Sequence, residues 1–145
     1  MLVDTSIWID HFRRSNHDLE YLLEEGLVLT HPFVIGELAC GSLSKRAPVL
    51  ELLAALPTVL VATHDEAHAL VDSHRLFGTG LGWIDVHLLA SAKLSQQPLW
   101  TADRRLRSAS IKIGLPERES RYGTRRNGIS VVRAPEADTT RTSTT

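Results

Sequence analysis

The sequence predicts an α/β fold with a mostly parallel central sheet. Three observations carry that reading. Short apolar or β-branched runs alternate along the chain with longer segments of helical periodicity, the order expected of parallel strands flanked by helices. The 145 residues fit one domain and can bury a core without disulfides or structural metal. Apolar and charged fractions of 43% and 23% are ordinary for a soluble globular chain.

Leu2-Val3 is expected to be the first strand. Asp4-Thr5-Ser6 then offers N-cap residues for a helix through about Arg13, with Ile7, Trp8 and Phe12 at helical spacing. A second helix fits Asp18 to Glu25, stopped by Gly26, and Leu27 to Thr30 reads as a strand. Pro32 suits the first turn of a helix ending near Gly41. Helix is expected again from Ala47 to Leu56, then strand from Thr58 to Ala62. Thr63 can cap a helix from His64 to Phe77. The glycine-rich connection GTGLG, residues 78–82, leads into a helix from Ile84 to about Ser95. Pro98 ends that helix before a short strand, Leu99 to Thr101. Ala102 to Ser108 reads as helix and Ile111 to Leu115 as a last strand. No internal repeat is present. From Pro116 the composition turns to Arg, Thr, Pro and Gly, so residues 1–115 are read as the domain. Residues 116–145 are read as a flexible polar appendage, or an extension foreign to the domain.

Charge and cysteine content exclude several classes. Net charge is −1 with histidines neutral. Residues 1–115 carry 13 acids and 10 Lys or Arg, a net of −3, while 116–145 carry 4 and 6, a net of +2. A nucleic-acid binder working by surface charge alone would be more basic, so bound metal would have to supply much of the positive charge. Cys40 is the only cysteine, which rules out an intrachain disulfide and fits a reducing compartment such as the cytoplasm. The start, MLVDTSIWID, lacks the basic lead of a signal peptide. The longest apolar stretch, Leu52 to Ala62, is too short for a bilayer and contains Pro57, so no membrane role is expected.

Four acids stand in positions that chemistry can use. Asp4 follows the first strand, and the carboxyl ends of parallel strands are where ligands bind. Asp103 lies just beyond Leu99-Trp100-Thr101. Asp85 opens a helix after GTGLGW. Glu37 falls in the otherwise apolar PFVIGELACG, a setting costly for an acid unless something positive compensates. Carboxylates are hard oxygen ligands suited to Mg²⁺ or Mn²⁺, and their clustering disfavours ionisation without a cation. Two ions roughly 4 Å apart can activate a water and stabilise the leaving oxygen of a phosphodiester. Each acid alone has a structural reading as well: Asp4 as a helix cap, Asp85 as a first-turn acid, Asp103 as a turn residue, Glu37 in a surface-facing register.

Taken together, LVDTSIWIDHFR at 2–13, VIGELACG at 34–41, GLGWIDVHLLASA at 80–92 and LWTADRRL at 99–106 resemble the PIN-domain family, specifically the VapC-type toxins of bacterial toxin–antitoxin pairs. The resemblance spans about residues 1–115. It implies an α/β/α sandwich and a Mg²⁺- or Mn²⁺-dependent endoribonuclease, with Asp4, Glu37, Asp85 and Asp103 as catalytic and metal-binding acids. It implies that Ser6 and Thr101 support them by hydrogen bonds to an acid or a metal-bound water, with Thr5 as a further polar position. It also implies an RNA substrate, a cognate antitoxin lying across the acidic groove, and a homodimer; Ile7, Trp8, Phe12, Val34 and Leu38 are candidates for such surfaces, against core burial. One departure is DRRL, where the family often has a further acid and an aromatic. Arg104 and Arg105 could contact an RNA backbone or form a solvated helix face.

Other signals are weaker. His64 and His68 stand one helical turn apart, but the HExxH pattern is absent and no third soft ligand stands out for zinc. His11 and His87 neighbour key acids in sequence and could approach substrate. GTGLG matches neither GxGxxG nor a Walker loop, so it is read as a turn that aims Asp85. Trp8 and Trp83 suit core or interface better than base stacking. An aspartyl phosphatase of the haloacid-dehalogenase type needs an Asp two residues after Asp4, where Ser6 stands. The remaining alternative is a catalytically silent PIN-like binding module, which would usually have lost an acid.

Overall fold

The computed structural model describes residues 1–119. The order is β1 (Leu2–Val3), α1 (Thr5–Arg14), α2 (His17–Glu24), α3 (Pro32–Cys40), α4 (Arg46–Ala55), α5 (His64–His74), α6 (Trp83–Leu94), β2 (Leu99–Trp100) and α7 (Arg104–Lys112). β1 and β2 pair in parallel, with Leu2 opposite Leu99 and Val3 opposite Trp100. Parallel bridges from Leu2 to Leu29 and from Thr30 to Thr58 widen the sheet by single residues. α1, α3 and α4 pack in series, whereas α5, α6 and α7 form a second group, with α6 and α7 against β2. This is an α/β/α arrangement around a small parallel sheet.

Local chemistry sets most helix ends. Thr63 accepts from the Glu66 amide while the Glu66 carboxylate accepts from the Thr63 amide, a reciprocal cap that starts α5. Asn16 caps α2 through the Leu19 amide, and Pro32 occupies the first turn of α3. α2 therefore begins at His17 and α5 ends at His74, both within a turn or so of the expected bounds.

Three expectations need correction. Ile111 to Leu115 is not a strand. α7 continues to Lys112, and Gly114 at φ +76 closes it. The Leu115 amide donates to the Ser110 carbonyl and the Gly114 amide to Ile111, which is a Schellman ending. The segments 27–30 and 58–62 contribute isolated bridges at Leu29, Thr30 and Thr58 rather than strands. Past Thr58 the backbone finds side-chain partners instead: the Leu60 and Ala62 amides donate to the hydroxyls of Ser95 and Ser91 on α6. Finally, Ile7, Trp8, Val34 and Leu38 are buried in the core, which leaves only Phe12 of the five suggested interface residues at the surface.

The same core holds Leu2, Val3, Leu88, Leu89 and Leu106, so the sheet and α6 are anchored from both faces. Most of the expected 116–145 appendage lies outside the described residues. Its opening is not free of the body, since the Arg118 guanidinium lies 3.7 Å over the Trp100 ring and pairs with Asp18. Among the described residues, no helix is long and apolar enough to cross a membrane.

Candidate active site

The Asp4 amide donates to the Trp100 carbonyl at 2.9 Å, the last rung between β1 and β2. That rung puts Asp4 and Thr101 side by side at the carboxyl end of the sheet. Asp4 is 7% exposed and Thr101 3% exposed. Asp4 is the N-cap of α1 by position, yet its side chain makes no capping bond. Its Oδ2 instead accepts from Ser6 Oγ at 2.7 Å and from Thr101 Oγ1 at 2.8 Å. The capping reading of Asp4 therefore fails, and the two hydroxyls named from the sequence are the groups that hold it.

Those hydroxyls also tie neighbouring backbone to the site. Ser6 Oγ accepts from the Ala102 amide and Thr101 Oγ1 from the Asp103 amide, each at 3.0 Å. Asp103 is fixed in turn as the cap of α7, its Oδ1 accepting from the Arg105 and Leu106 amides. Asp85 lies in the first turn of α6, and its Oδ2 accepts from the Gly82 amide at 3.0 Å. Glu37 is exposed on α3, where Val34 and Leu38 take the inward face. Its apolar sequence surroundings thus do not bury it. A hydrogen bond from Thr5 Oγ1 to Glu37 Oε2, 2.6 Å, draws it toward the first turn of α1.

Electrostatics joins the four acids. The Asp85 carboxyl is raised above its usual pKa, first by burial and then by the charges of Asp4, Asp103 and Glu37, against a lowering from the Gly82 amide. Each of the four uses one oxygen in the bonds above; the other accepts no hydrogen bond among the described residues. Such oxygens are hard donors with open lone pairs. Among the described residues, no three His, Cys, Asp or Glu side chains stand ready to enclose a metal ion by themselves. Mg²⁺ commonly takes only one or two carboxylates directly and keeps several waters, so this donor set suits an ion reached partly through water.

The chain matches the family model for the PIN domain over residues 1–112. It is also 47% identical over 116 residues to ribonuclease VapC32 of Mycobacterium tuberculosis, in both strain CDC 1551 / Oshkosh and strain ATCC 25618 / H37Rv. The aligned region covers 79% of this chain and 94% of each relative. The chain is a PIN-domain protein of the VapC type. In this PIN domain the match ends at Lys112, the last residue of α7.

Among the described residues, the histidines make no hydrogen bond to the four acids. His87, a candidate for touching substrate, is 2% exposed and turns its Nε2 to His64 Nδ1 at 3.0 Å. His64 therefore partners His87 on another helix rather than forming a zinc pair with His68. His11 accepts from the Asn16 amide and serves the end of α1. Trp8 is core; Trp83 is 39% exposed and packs against His64, His68 and His87. Sequence reasoning missed how Thr5 engages Glu37, although its position beside Asp4 was the available signal.

Proposed function

We propose that this PIN-domain protein is a Mg²⁺- or Mn²⁺-dependent endoribonuclease toxin. It hydrolyses RNA phosphodiester bonds in the cytoplasm and is silenced by a cognate antitoxin lying across the acidic groove. It works as a homodimer. The observation that carries the reading is one electrostatic group of four carboxylates from four elements, each with an oxygen left open.

In this reading Asp4, Glu37, Asp85 and Asp103 hold the metal. When bound, the ion supplies the positive charge that admits a phosphodiester among carboxylates and the Lewis acidity that makes water a nucleophile. The protein's part is orientation. Ser6 and Thr101 pin Asp4 Oδ2, which leaves the other oxygen without a hydrogen bond among the described residues. The capping bonds of Asp103 and Asp85 fix two more carboxylates on helix starts. Thr5 fixes the fourth. No histidine base is needed, and the buried imidazole of His87 is already engaged by His64.

The test is cleavage of labelled RNA by purified protein in Mn²⁺, beside an Asp4→Asn variant. The variant should lose at least about 10³-fold in rate while keeping its helical circular dichroism, the loss expected when several kcal/mol of transition-state stabilisation disappear. Equal cleavage by Asp4→Asn overturns the assignment.

A further inference from the structure

A cleft of positive charge runs along α7, the helix that Asp103 caps. Its volume is about 330 Å³, and Arg104, Arg105, Lys112, Thr79 and Ser108 are among its lining residues, with no carboxylate among them. One wall is α7; the other is the loop through residue 80 that leads to Asp85. Arg105 is packed against that loop. A Cβ on Gly80 would lie 3.0 Å from an Arg105 guanidinium nitrogen, 3.1 Å from Cζ and 3.2 Å from Cδ. Gly80 also has φ +81, so a side chain is disfavoured there twice over. The Arg105 guanidinium thus lies close against the backbone at Gly80, where a Cβ would push it back by a few tenths of an ångström.

The cations of the cleft differ from their neighbours. Arg107 on the same helix donates to the Thr101 carbonyl, and Arg14 and Arg118 are ion-paired. Arg104 and Arg105 make no side-chain hydrogen bond and no ion pair with any carboxylate among the described residues. Yet the Arg105 amide is itself bonded to Asp103, and its guanidinium lies on the loop leading to Asp85. Lys112 gives one hydrogen bond to the Arg75 carbonyl, which leaves ammonium donors to spare. Exposed guanidinium forks held beside an anionic site match the oxygens of a second anion better than a solvated surface does.

We infer that this cleft is a phosphate-binding subsite. It takes a backbone phosphate of the RNA strand next to the one presented to the carboxylates, with Arg105 as the seated donor and Arg104 and Lys112 beside it. The inference rests on the reading of the acids as an RNA-cutting site. It also answers the charge problem of a chain with net charge −1: cations are concentrated where the strand must pass the acids.

The test uses the full chain made inactive by Asp4→Asn, titrated with fluorescent single-stranded RNA at several salt concentrations. Arg105→Gln should weaken binding on the order of tenfold at about 0.05 M salt and lower the salt slope by about 0.7, the value for one lost phosphate contact on a single strand, while Arg104→Gln and Lys112→Gln should each weaken binding and lower the slope by less. Arg14→Gln, remote and paired with Asp10, is the control that leaves binding unchanged. Circular dichroism of each variant separates lost contacts from lost folding. Unaltered affinity and salt slope in the three Gln variants overturn the subsite and leave the nuclease intact. A wild-type protein that never cuts RNA, yet loses RNA affinity on Arg105→Gln, retires the nuclease and keeps the cleft.

Discussion

Asp85 and His87 stand two residues apart on α6 and keep different company. Asp85 faces three other acids, and its pKa is raised by burial and by their charges. His87 faces His64 with His31 beyond it, and burial followed by the His64 charge lowers its pKa. His31 lies deepest, at 0% exposure. Burial, then His87, push its pKa down to about 4. Its hydrogen bonds require the neutral ring. Nδ1 accepts from the Phe33 amide at 2.9 Å, so the ring proton belongs on Nε2, 3.1 Å from Ser91 Oγ. A second proton would set two donors against each other at Nδ1. The histidine cluster escapes repulsion by giving up charge. The acidic cluster instead keeps its carboxyls together, each with one oxygen held by a hydroxyl or amide donor. Like charges gathered at one place in a fold are a common mark of a functional site.

The largest expected effect separates the two regions by metal. Chelation with EDTA should abolish RNA cleavage by at least about 10³-fold, and added Mn²⁺ or Mg²⁺ should restore it. The fold should survive chelation, because the core and the histidine cluster owe nothing to an ion. Loss of circular dichroism on chelation would instead make the acidic region structural and break the comparison.

The next effect belongs to the histidines. A histidine whose pKa falls from 6.5 to about 4 on folding binds fewer protons when folded than when unfolded. Its neutral form is fully compatible with the fold above pH 6.5, and stability declines as pH falls from there toward 4. The loss attributable to His31 is on the order of 3 kcal/mol. Urea unfolding across this range should show the decline, and His31→Gln should flatten it while lowering stability at pH 7. An unchanged slope in that variant would move the titration to His87, whose pKa is also lowered by burial.

How much of this could be read from the chain depends on how local each cause is. Caps are local, so Thr63 marked α5, and Pro32 with Gly41 marked α3, within a few residues. Asp4, Asp85 and Asp103 were legible because each stands at a strand end or helix start. Glu37 was singled out for an imperfect reason: its helix is apolar in composition, but Val34 and Leu38 take the buried face and Glu37 is exposed. Strand lengths were not legible, since the Leu60 and Ala62 amides are satisfied by serines some 30 residues away in sequence. Ile111, Ile113 and Leu115 alternate as a strand would, yet the same spacing fits a helix whose last turn closes at Gly114. The His64–His87 contact joins two helices, and no spacing within one helix announces it.

A smaller effect tests the hydroxyl support. Thr101→Val keeps the shape but removes a donor to Asp4 and the acceptor of the Asp103 amide. The expected cost is about 2 kcal/mol, as for a buried bond to a charged group. Cleavage should fall as well, because Asp4 loses one of its two fixing bonds. A variant that loses stability but cuts at the wild-type rate would assign Thr101 to the fold alone.

The smallest effect has the opposite sign. A carboxyl whose pKa rises on folding is more easily ionised in the unfolded chain, so at neutral pH the charge of Asp85 weakens the folded state. Asp85→Asn removes that charge, and its amide oxygen can still accept from the Gly82 amide. In EDTA the variant should therefore melt slightly higher than wild type. In Mn²⁺ the order should reverse, because only the wild-type site gains full stabilisation from ligand binding. A variant that melts lower even in EDTA would mean that the carboxylate is worth more to α6 as a cap than it costs in repulsion. Asp85 would then belong with the ordinary first-turn acids, and the contrast with His87 would narrow to burial alone.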